Sequence, residues 1–372
     1  MPLKVLIAPD KFKGTLTAQQ AAEAIARGWR QARPADTLHL FPITDGGDGF
    51  GEVLGQLASA EVRSVETVDA ARRRVTSSWW WKPESKTAVL ESARTIGLAL
   101  LPPGRFHPFE LDTFGLGALL QAAATVGAQR CVIGIGGSAT NDAGLGLARA
   151  LGWQFLNKRD EVIQRWTELH NLSHLHPPQT ALGFDELVVA VDVQNPLLGA
   201  AGCTRIYGPQ KGLRPEDFEF AERCLAQLAQ VVERQLGLAV AAEPGTGAAG
   251  GLGFGLRCFA GARLEPGFAI FARQAQLAER VSDAQLVLTG EGAIDDSTLM
   301  GKGVGELARI CKQVRVPCLG FAGKLNLSAS AENPFAGLHS LTPEFTSVEN
   351  ALAEPALWLE RLAERAGSRC PV

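Results

Sequence analysis

Short aliphatic runs alternate with amphipathic segments along most of the chain, and this alternation constrains the fold more than any other feature. The first run, 5–8, is followed from Thr17 by apolar residues at helical spacing, and Thr17 with Gln20 forms a capping-box pattern. Further aliphatic runs lie at 131–135, 187–191, 286–288 and 317–321. Strands that alternate with helices in this way favour parallel α/β sheets.

The stretch from about residue 61 to 92 departs from the alternation. Its β-rich runs, 74–81 and 87–90, flank Lys82-Pro83-Glu84-Ser85 and predict an antiparallel hairpin. The run Trp79-Trp80-Trp81 predicts an edge strand whose alternate rings pack into the core or an interface. We therefore expect a mixed layer in one part of an otherwise parallel α/β protein.

Length and composition indicate two globular domains. The 372 residues exceed the size at which one core stops growing, and 46% are apolar against 20% charged. The net charge of -3 gives no basic surface for nucleic acid, and no apolar stretch is long enough to span a membrane. Seven cysteines without a CxxC pair favour a cytoplasmic location. We expect a monomer or homodimer with domains at 1–60 plus 285–372 and at 61–284.

Six polar or glycine-rich segments occur along the chain at the ends of apolar runs, where open α/β sheets bind ligands. In the first, Lys13 lies before a helix and suits a phosphate or carboxylate, unless it is simply solvated. In the second, Asp45 and Asp48 lie among glycines and can hold Mg²⁺ or accept a proton, unless the loop only caps the next helix. The fifth, 244–253, is glycine-rich and allows either close approach to a ligand or a flexible linker.

The third segment, 134–144, contains the dinucleotide pattern G-x-G-x-x-A from Gly134 to Ala139. An NAD(P)-dependent dehydrogenase of a 2-hydroxy acid is therefore an alternative. The acid expected about 20 residues later should end a strand, whereas Asp160 lies in a polar stretch. The polar continuation Ser138-Ala139-Thr140-Asn141-Asp142 better suits a nest of donors around phosphate oxygens.

The fourth and sixth segments combine acids with lysines. Asp192 follows an aliphatic run, and Lys211 lies in Gly208-Pro209-Gln210-Lys211-Gly212, so the pair can orient a nucleophile and neutralise a phosphoryl group. The sixth segment runs from Thr289 through Asp295 to Gly303 and is not a Walker A loop, because Gly303 stands where a Ser or Thr would bind Mg²⁺.

Together the six segments resemble the glycerate kinase family of the type with two α/β domains, over nearly the whole chain. The most specific parts are 135–142, 208–212 and 289–292. The resemblance implies one flavodoxin-like domain with a doubly wound parallel sheet, a second mixed α/β domain and a ligand cleft between them. It also implies phosphorylation of D-glycerate with ATP and Mg²⁺, with 2-phosphoglycerate favoured over 3-phosphoglycerate.

Within that reaction the residues suggest three groups of roles. Asp192 is the predicted acid that orients or deprotonates the glycerate hydroxyl, and the other predicted catalytic residues are Asp45, Lys13 and Lys211. The predicted nucleotide contacts are Gly136, Gly137, Ser138, Asn141, Gly290, Glu291, Gly292 and Lys302, and the predicted Mg²⁺ ligands are Asp295 and Asp48. The sequence departs from the family pattern at Lys11, Phe50 and Ala293, where Ser, Thr and Arg are common. A non-catalytic nucleotide-binding module remains a further alternative.

Overall fold

A computed structural model describes residues 2–44, 47, 49–299, 303–328 and 332–370. The strands over these ranges are β1 (Lys4–Ile7), β2 (Thr37–Leu40), β3 (Glu61–Val68), β4 (Arg74–Lys82), β5 (Thr87–Glu91), β6 (Arg130–Gly134), β7 (Gln154–Asn157), β8 (Leu172–His176), β9 (Glu186–Val191), β10 (Arg263–Pro266), β11 (Leu286–Asp295), β12 (Cys318–Asn326) and β13 (Gly337–Thr342).

Helices separate most of these strands. The α-helices are α1 (Ala18–Ala32), α2 (Phe50–Leu57), α3 (Ala93–Ile96), α4 (Leu116–Thr125), α5 (Leu145–Ala150), α6 (Cys203–Lys211), α7 (Pro215–Leu236), α8 (Ala248–Phe259), α9 (Gly267–Gln274), α10 (Leu277–Ser282), α11 (Asp296–Leu299), α12 (Gly303–Val314), α13 (Val348–Ala353) and α14 (Pro355–Arg369). Short 3-10 helices lie at Pro83–Ser85, Leu98–Leu100, Pro108–Glu110 and Trp166–Asn171.

The first of two compact units combines the two ends of the chain, residues 1–45 and 268–372. Its sheet is parallel throughout, in the order β13-β12-β11-β1-β2. Counted within the unit, this is the 2-1-3-4-5 order of flavodoxin-like folds, so the predicted flavodoxin-like sheet is confirmed. The capping box at Thr17 forms as predicted at the start of α1.

The second unit, residues 46–267, is built on a mixed sheet in the order β10-β9-β6-β5-β4-β3. Strands β5, β6, β9 and β10 are parallel, whereas β3 and β4 form antiparallel pairs. The carboxyl ends of three adjacent strands, at Glu91, Gly134 and Val191, therefore lie at one edge of the sheet. This arrangement confirms the predicted mixed α/β architecture.

The hairpin of β4 and β5 forms as predicted, but the tryptophan run does not lie on an edge strand. β4 is an interior strand because β3 pairs along its other side. Trp79 and Trp81 are buried in one core cluster, while Trp80 meets the glycine face of α2. A Cβ atom at Gly51 would lie 2.2 Å from the Trp80 ring. The alternation of the rings follows from the two-residue period of a strand.

The boundaries of the compact units differ from the predicted domain limits at both points where the chain passes from one unit to the other. α2 lies in the second unit, because Trp80 packs into its glycine face, and α10 lies in the first. The division into folding domains at 60/61 and 284/285 stays a prediction.

Candidate active site residues

The loop after β6 carries most of the predicted nucleotide contacts on the second unit. Gly137 is exposed and has a φ of 74°, which favours glycine, whereas Ser138 and Asn141 are buried. The segment just after this turn is fixed, because Ala139 N–H donates to the Ile96 carbonyl over 2.9 Å. The loop thus has a fixed backbone with an exposed glycine turn.

Asp142, at the end of this loop, caps α5. Its buried carboxylate accepts hydrogen bonds from the N–H groups of Gly144 and Gly146 at 3.2 and 2.9 Å, and from the hydroxyl and N–H of Thr113 at 2.8 and 2.9 Å. Burial raises the pKa of Asp142, and nearby Asp112 adds to the effect. A dinucleotide pyrophosphate would need the helix N-terminus that Asp142 already occupies, which disfavours the dehydrogenase alternative.

One face of α6 presents three polar side chains, Thr204, Tyr207 and Lys211, at a spacing of three and then four residues. Asn141 Nδ2 donates to Thr204 Oγ1 over 3.1 Å, and Lys211 Nζ donates to the Thr140 carbonyl over 2.6 Å. The helix therefore holds the loop after β6 at two points. The sequence reasoning missed Thr204 and Tyr207, although their spacing from Lys211 was a usable signal.

The amine of Lys211 is buried, with 7% of the residue exposed. Desolvation lowers its pKa to about 8, against the opposing influence of Cys203 and Asp142. Lys211 is therefore still mostly protonated at neutral pH, and it places a positive charge beside the loop after β6.

Asp192 is exposed and comes directly after β9, which pairs with β6 in parallel. The loops that follow these two strands consequently start at the same sheet edge, as the sequence predicted for ligand-binding segments. Asp192 also acts on α6, since it contributes, after burial and Cys203, to raising the pKa of Tyr207 to about 12. The phenol of Tyr207 donates to Asn195 Oδ1, another residue that the sequence reasoning missed.

The glycine-rich fifth segment serves close packing. Gly250 has a φ of +71°, and a Cβ there would lie 1.9 Å from the Thr140 carbonyl oxygen. Gly247 N–H donates to the Asn195 carbonyl over 2.9 Å. The segment thus supports both strand-end loops with its backbone and is not a flexible linker.

On the first unit, the first part of the sixth segment, Thr289 to Asp295, continues the strand that begins in the aliphatic run 286–288. β11 continues to Asp295 and stays paired with β12, because glycine lets the two backbones approach: a Cβ at Gly290 would lie 2.3 Å from the Phe321 carbonyl oxygen. Gly292 lies against the exposed Lys13, whose backbone nitrogen would be 3.3 Å from a Cβ at that glycine. Lys13 and Gly292 are therefore brought together alongside β11.

The hydroxyl of Thr298 links two acidic residues near the end of β11, Glu291 through its side chain and Asp295 through its backbone. Thr298 Oγ1 donates to Glu291 Oε1 over 2.8 Å and accepts from Asp295 N–H over 3.2 Å. Asp295 Oδ1 in turn accepts from the N–H and hydroxyl of Ser297 at the start of α11. Asp295 thus caps a short helix through one oxygen, and both acids supply the hard oxygen atoms that Mg²⁺ prefers.

Three predicted site residues, Asp45, Asp48 and Lys302, lie outside the described residues. Across the ranges that the structure describes, no group of three or more His, Cys, Asp and Glu side chains is arranged to hold a metal ion. No helix in that part of the chain is long and apolar enough to cross a membrane.

Comparison with known proteins identifies the family. The family model described as the glycerate kinase family matches residues 5–370. A glycerate kinase of Halalkalibacterium halodurans is 36% identical, covering 96% of each chain. The glycerate 2-kinase of Escherichia coli K12 is 35% identical, over 87% of this chain and 86% of that one. The crystal structure of a candidate glycerate kinase 2 from Salmonella typhimurium LT2 has a TM-score of 0.81 and 32% identity, and the match covers 99% of this chain and 98% of the other.

The fold and the polar strand-end loops define an α/β enzyme of two units, one flavodoxin-like and one mixed. The chain belongs to the glycerate kinase family. The resemblance drawn from the six segments is confirmed, and so is the prediction of a kinase.

Proposed function

We propose that the chain phosphorylates D-glycerate with ATP in the presence of Mg²⁺ and that 2-phosphoglycerate is the product. The observation that carries the proposal is the exposed Asp192 at the same sheet edge as the Gly136–Ser138 turn, with the Lys211 amine bonded to Thr140 of that loop. The name of the Escherichia coli relative, glycerate 2-kinase, supports the choice of product.

The second unit supplies an acid, a cation and a fixed loop. Asp192 would orient or deprotonate the attacking hydroxyl, a role that an exposed carboxylate can perform when it lies within hydrogen-bond reach of that hydroxyl. Lys211 would offset negative charge during transfer, because phosphoryl transfer needs positioning and charge neutralisation more than covalent catalysis. The loop residues Gly136, Gly137, Ser138 and Asn141 would hold the phosphates.

The first unit supplies Lys13 and the β11 residues Gly290, Glu291 and Gly292 as further substrate contacts. Lys302, together with Asp45 as a second catalytic acid, completes the proposed set. Asp295 and Asp48 would hold Mg²⁺, and the oxygen atoms of Asp295 and Glu291 suit that ion. When bound, Mg²⁺ would neutralise charge on the transferring phosphate.

A cytoplasmic monomer or homodimer is the proposed form of the enzyme. Six of the seven cysteines are buried free thiols, which suits a reducing compartment.

A coupled assay tests the reaction. ADP release from ATP and Mg²⁺ should depend on D-glycerate, and omission of Mg²⁺ should abolish it. Phosphorus NMR of the product should show the coupling pattern of 2-phosphoglycerate. NAD(P)-dependent absorbance changes without ADP release would instead support the dehydrogenase, and ATP binding without turnover would support the nucleotide-binding module.

Substitution of Asp192 tests the mechanism. Asp192→Asn should lower kcat at least ~100-fold with the fold retained, because a positioned acid is lost. Asp185→Asn is the matched control: Asp185 is also exposed but lies just before the amino end of β9. Near-normal turnover of the Asp192 variant would remove that residue from the mechanism.

A further inference from the structure

Asn195 makes three of the hydrogen bonds that anchor the loop bearing Asp192. The side-chain amide of Asn195 donates to the Ala201 carbonyl over 2.8 Å, and its Oδ1 accepts from the Tyr207 hydroxyl. Its own carbonyl accepts from Gly247 N–H over 2.9 Å. One side chain and its backbone therefore connect the loop to α6, to the turn before α6 and to the glycine-rich segment.

Tyr207 reaches this loop from a rigid support. Its position on α6 lies between Thr204, which holds Asn141, and Lys211, which holds Thr140. The ring is half-buried and packs against the core cluster that includes Leu197 and Cys203. The same helix face therefore holds both strand-end loops, the one after β6 and the one after β9.

Asp192 influences the Tyr207 phenol electrostatically, in addition to the hydrogen bond through which Tyr207 holds the Asp192 loop at Asn195. Burial of the ring is the largest cause of the raised pKa of Tyr207, Cys203 is the second and Asp192 the third. The phenol is consequently neutral at physiological pH and remains a hydrogen-bond donor.

We propose that Asn195 and Tyr207 are positioning residues that fix Asp192 relative to the loop after β6. The proposal rests on the proposed function, because Asp192 is the acid of that reaction. Without the Tyr207–Asn195 hydrogen bond the loop keeps its other anchors, so the acid should remain present but be held less precisely. Misplacement of a catalytic group lowers turnover more than it lowers binding.

Kinetics give the first test. Tyr207→Phe keeps the ring and removes only the hydroxyl, so kcat should fall about tenfold while KM for ATP stays within about twofold. Asn195→Asp, which retains an oxygen for the Tyr207 hydroxyl, should keep more activity than Asn195→Leu. The thermal midpoint of each variant shows whether the fold is retained. Unchanged kcat in a folded Tyr207→Phe enzyme would overturn the proposal.

The composition of the chain provides a second test that needs no turnover. Tyr207 is the only tyrosine, so protein labelled with ¹³C at the tyrosine ζ carbon gives one resonance from this site. Asp192→Asn and Asn195→Leu should each shift that resonance, whereas the control Asp185→Asn should leave it in place. If the chemical shift of this resonance is the same in wild-type and Asp192→Asn protein, the inference is overturned.

The two tests separate the inference from the proposed function. If the wild-type protein shows no glycerate-dependent ADP release but the resonance responds to Asp192→Asn, the proposed reaction fails and the coupling of Tyr207 to Asp192 stands. If the enzyme is active but neither kcat nor the resonance responds, the reaction stands and the positioning role is wrong.

Discussion

At the scale of single residues, the least ordinary feature is the buried amine of Lys211. Its pKa is about 8 in the folded protein against 10.5 for an unperturbed lysine. Below pH 8 both states are protonated, and the folded state bears the full cost of a buried charge. Between about pH 8 and 10.5 the folded state binds fewer protons than the unfolded state, so stability increases with pH in that window.

The increase of stability with pH gives a testable prediction. Relative to Lys211→Met, the wild-type protein should gain about 3 kcal/mol of unfolding free energy between pH 8 and 10.5, as the cost of the buried charge disappears. Turnover should fall over the same range, because the neutral amine no longer offsets phosphate charge. Urea unfolding and initial rates at a series of pH values measure both. A pH-independent difference between the two proteins would show that Lys211 does not titrate in this range.

At the scale of elements, the glycine-rich start of α8 shows how packing constrains the sequence. Ala249, Gly250 and Gly251 all have positive φ values before the regular helix begins. Gly250→Ala should lower the free energy of unfolding by about 3 kcal/mol or more. The new Cβ would be strained by the left-handed backbone conformation and would clash with the Thr140 carbonyl. Activity per folded molecule should also fall, since Thr140 lies in the proposed phosphate loop.

Gly261→Ala is the control for this substitution. Gly261 has a similar φ of +68°, but a Cβ there meets nothing within 4 Å. Gly261→Ala should lower the free energy of unfolding by only about 1 kcal/mol, because it adds the strain of the left-handed backbone conformation without a clash. Equal losses in chemical denaturation would mean that the contact with Thr140 has no energetic role.

The elements that were predicted correctly from the sequence are those whose formation depends on residues close together in the chain. The capping box at Thr17 and the hairpin of β4 and β5 follow from residue spacing and turn residues. The continuation of β11 to Asp295 could not be predicted, because it depends on glycines that meet a neighbouring strand. Likewise, the hydrogen bond between Asn195 and Tyr207 could not be predicted from the local sequence, because twelve positions and a turn separate the two residues.

At the scale of the whole molecule, one compact unit is formed from two separate stretches of the chain, 1–45 and 268–372, whereas the other is continuous in sequence. Helices α1 and α14 pack closely enough that a Cβ at Gly28 would lie 1.9 Å from the Glu360 carbonyl oxygen. Arg27 and Glu360 form an ion pair across the same contact at 2.7 Å. The first unit therefore needs both chain ends, whereas the second needs neither.

This difference predicts which fragments fold alone. A fragment of residues 46–267 should unfold cooperatively, because it contains its sheet and α2, whose Gly51 and Gly55 meet the Trp80 ring. A fragment with the limits predicted from the sequence, 61–284, lacks α2 and exposes Trp80, so its thermal midpoint should be lower by several degrees. Circular dichroism melts and Trp fluorescence of the two fragments measure the difference. Equal stability would show that α2 contributes nothing to the second unit and would favour the limits at 60/61 and 284/285 as the true domain boundaries.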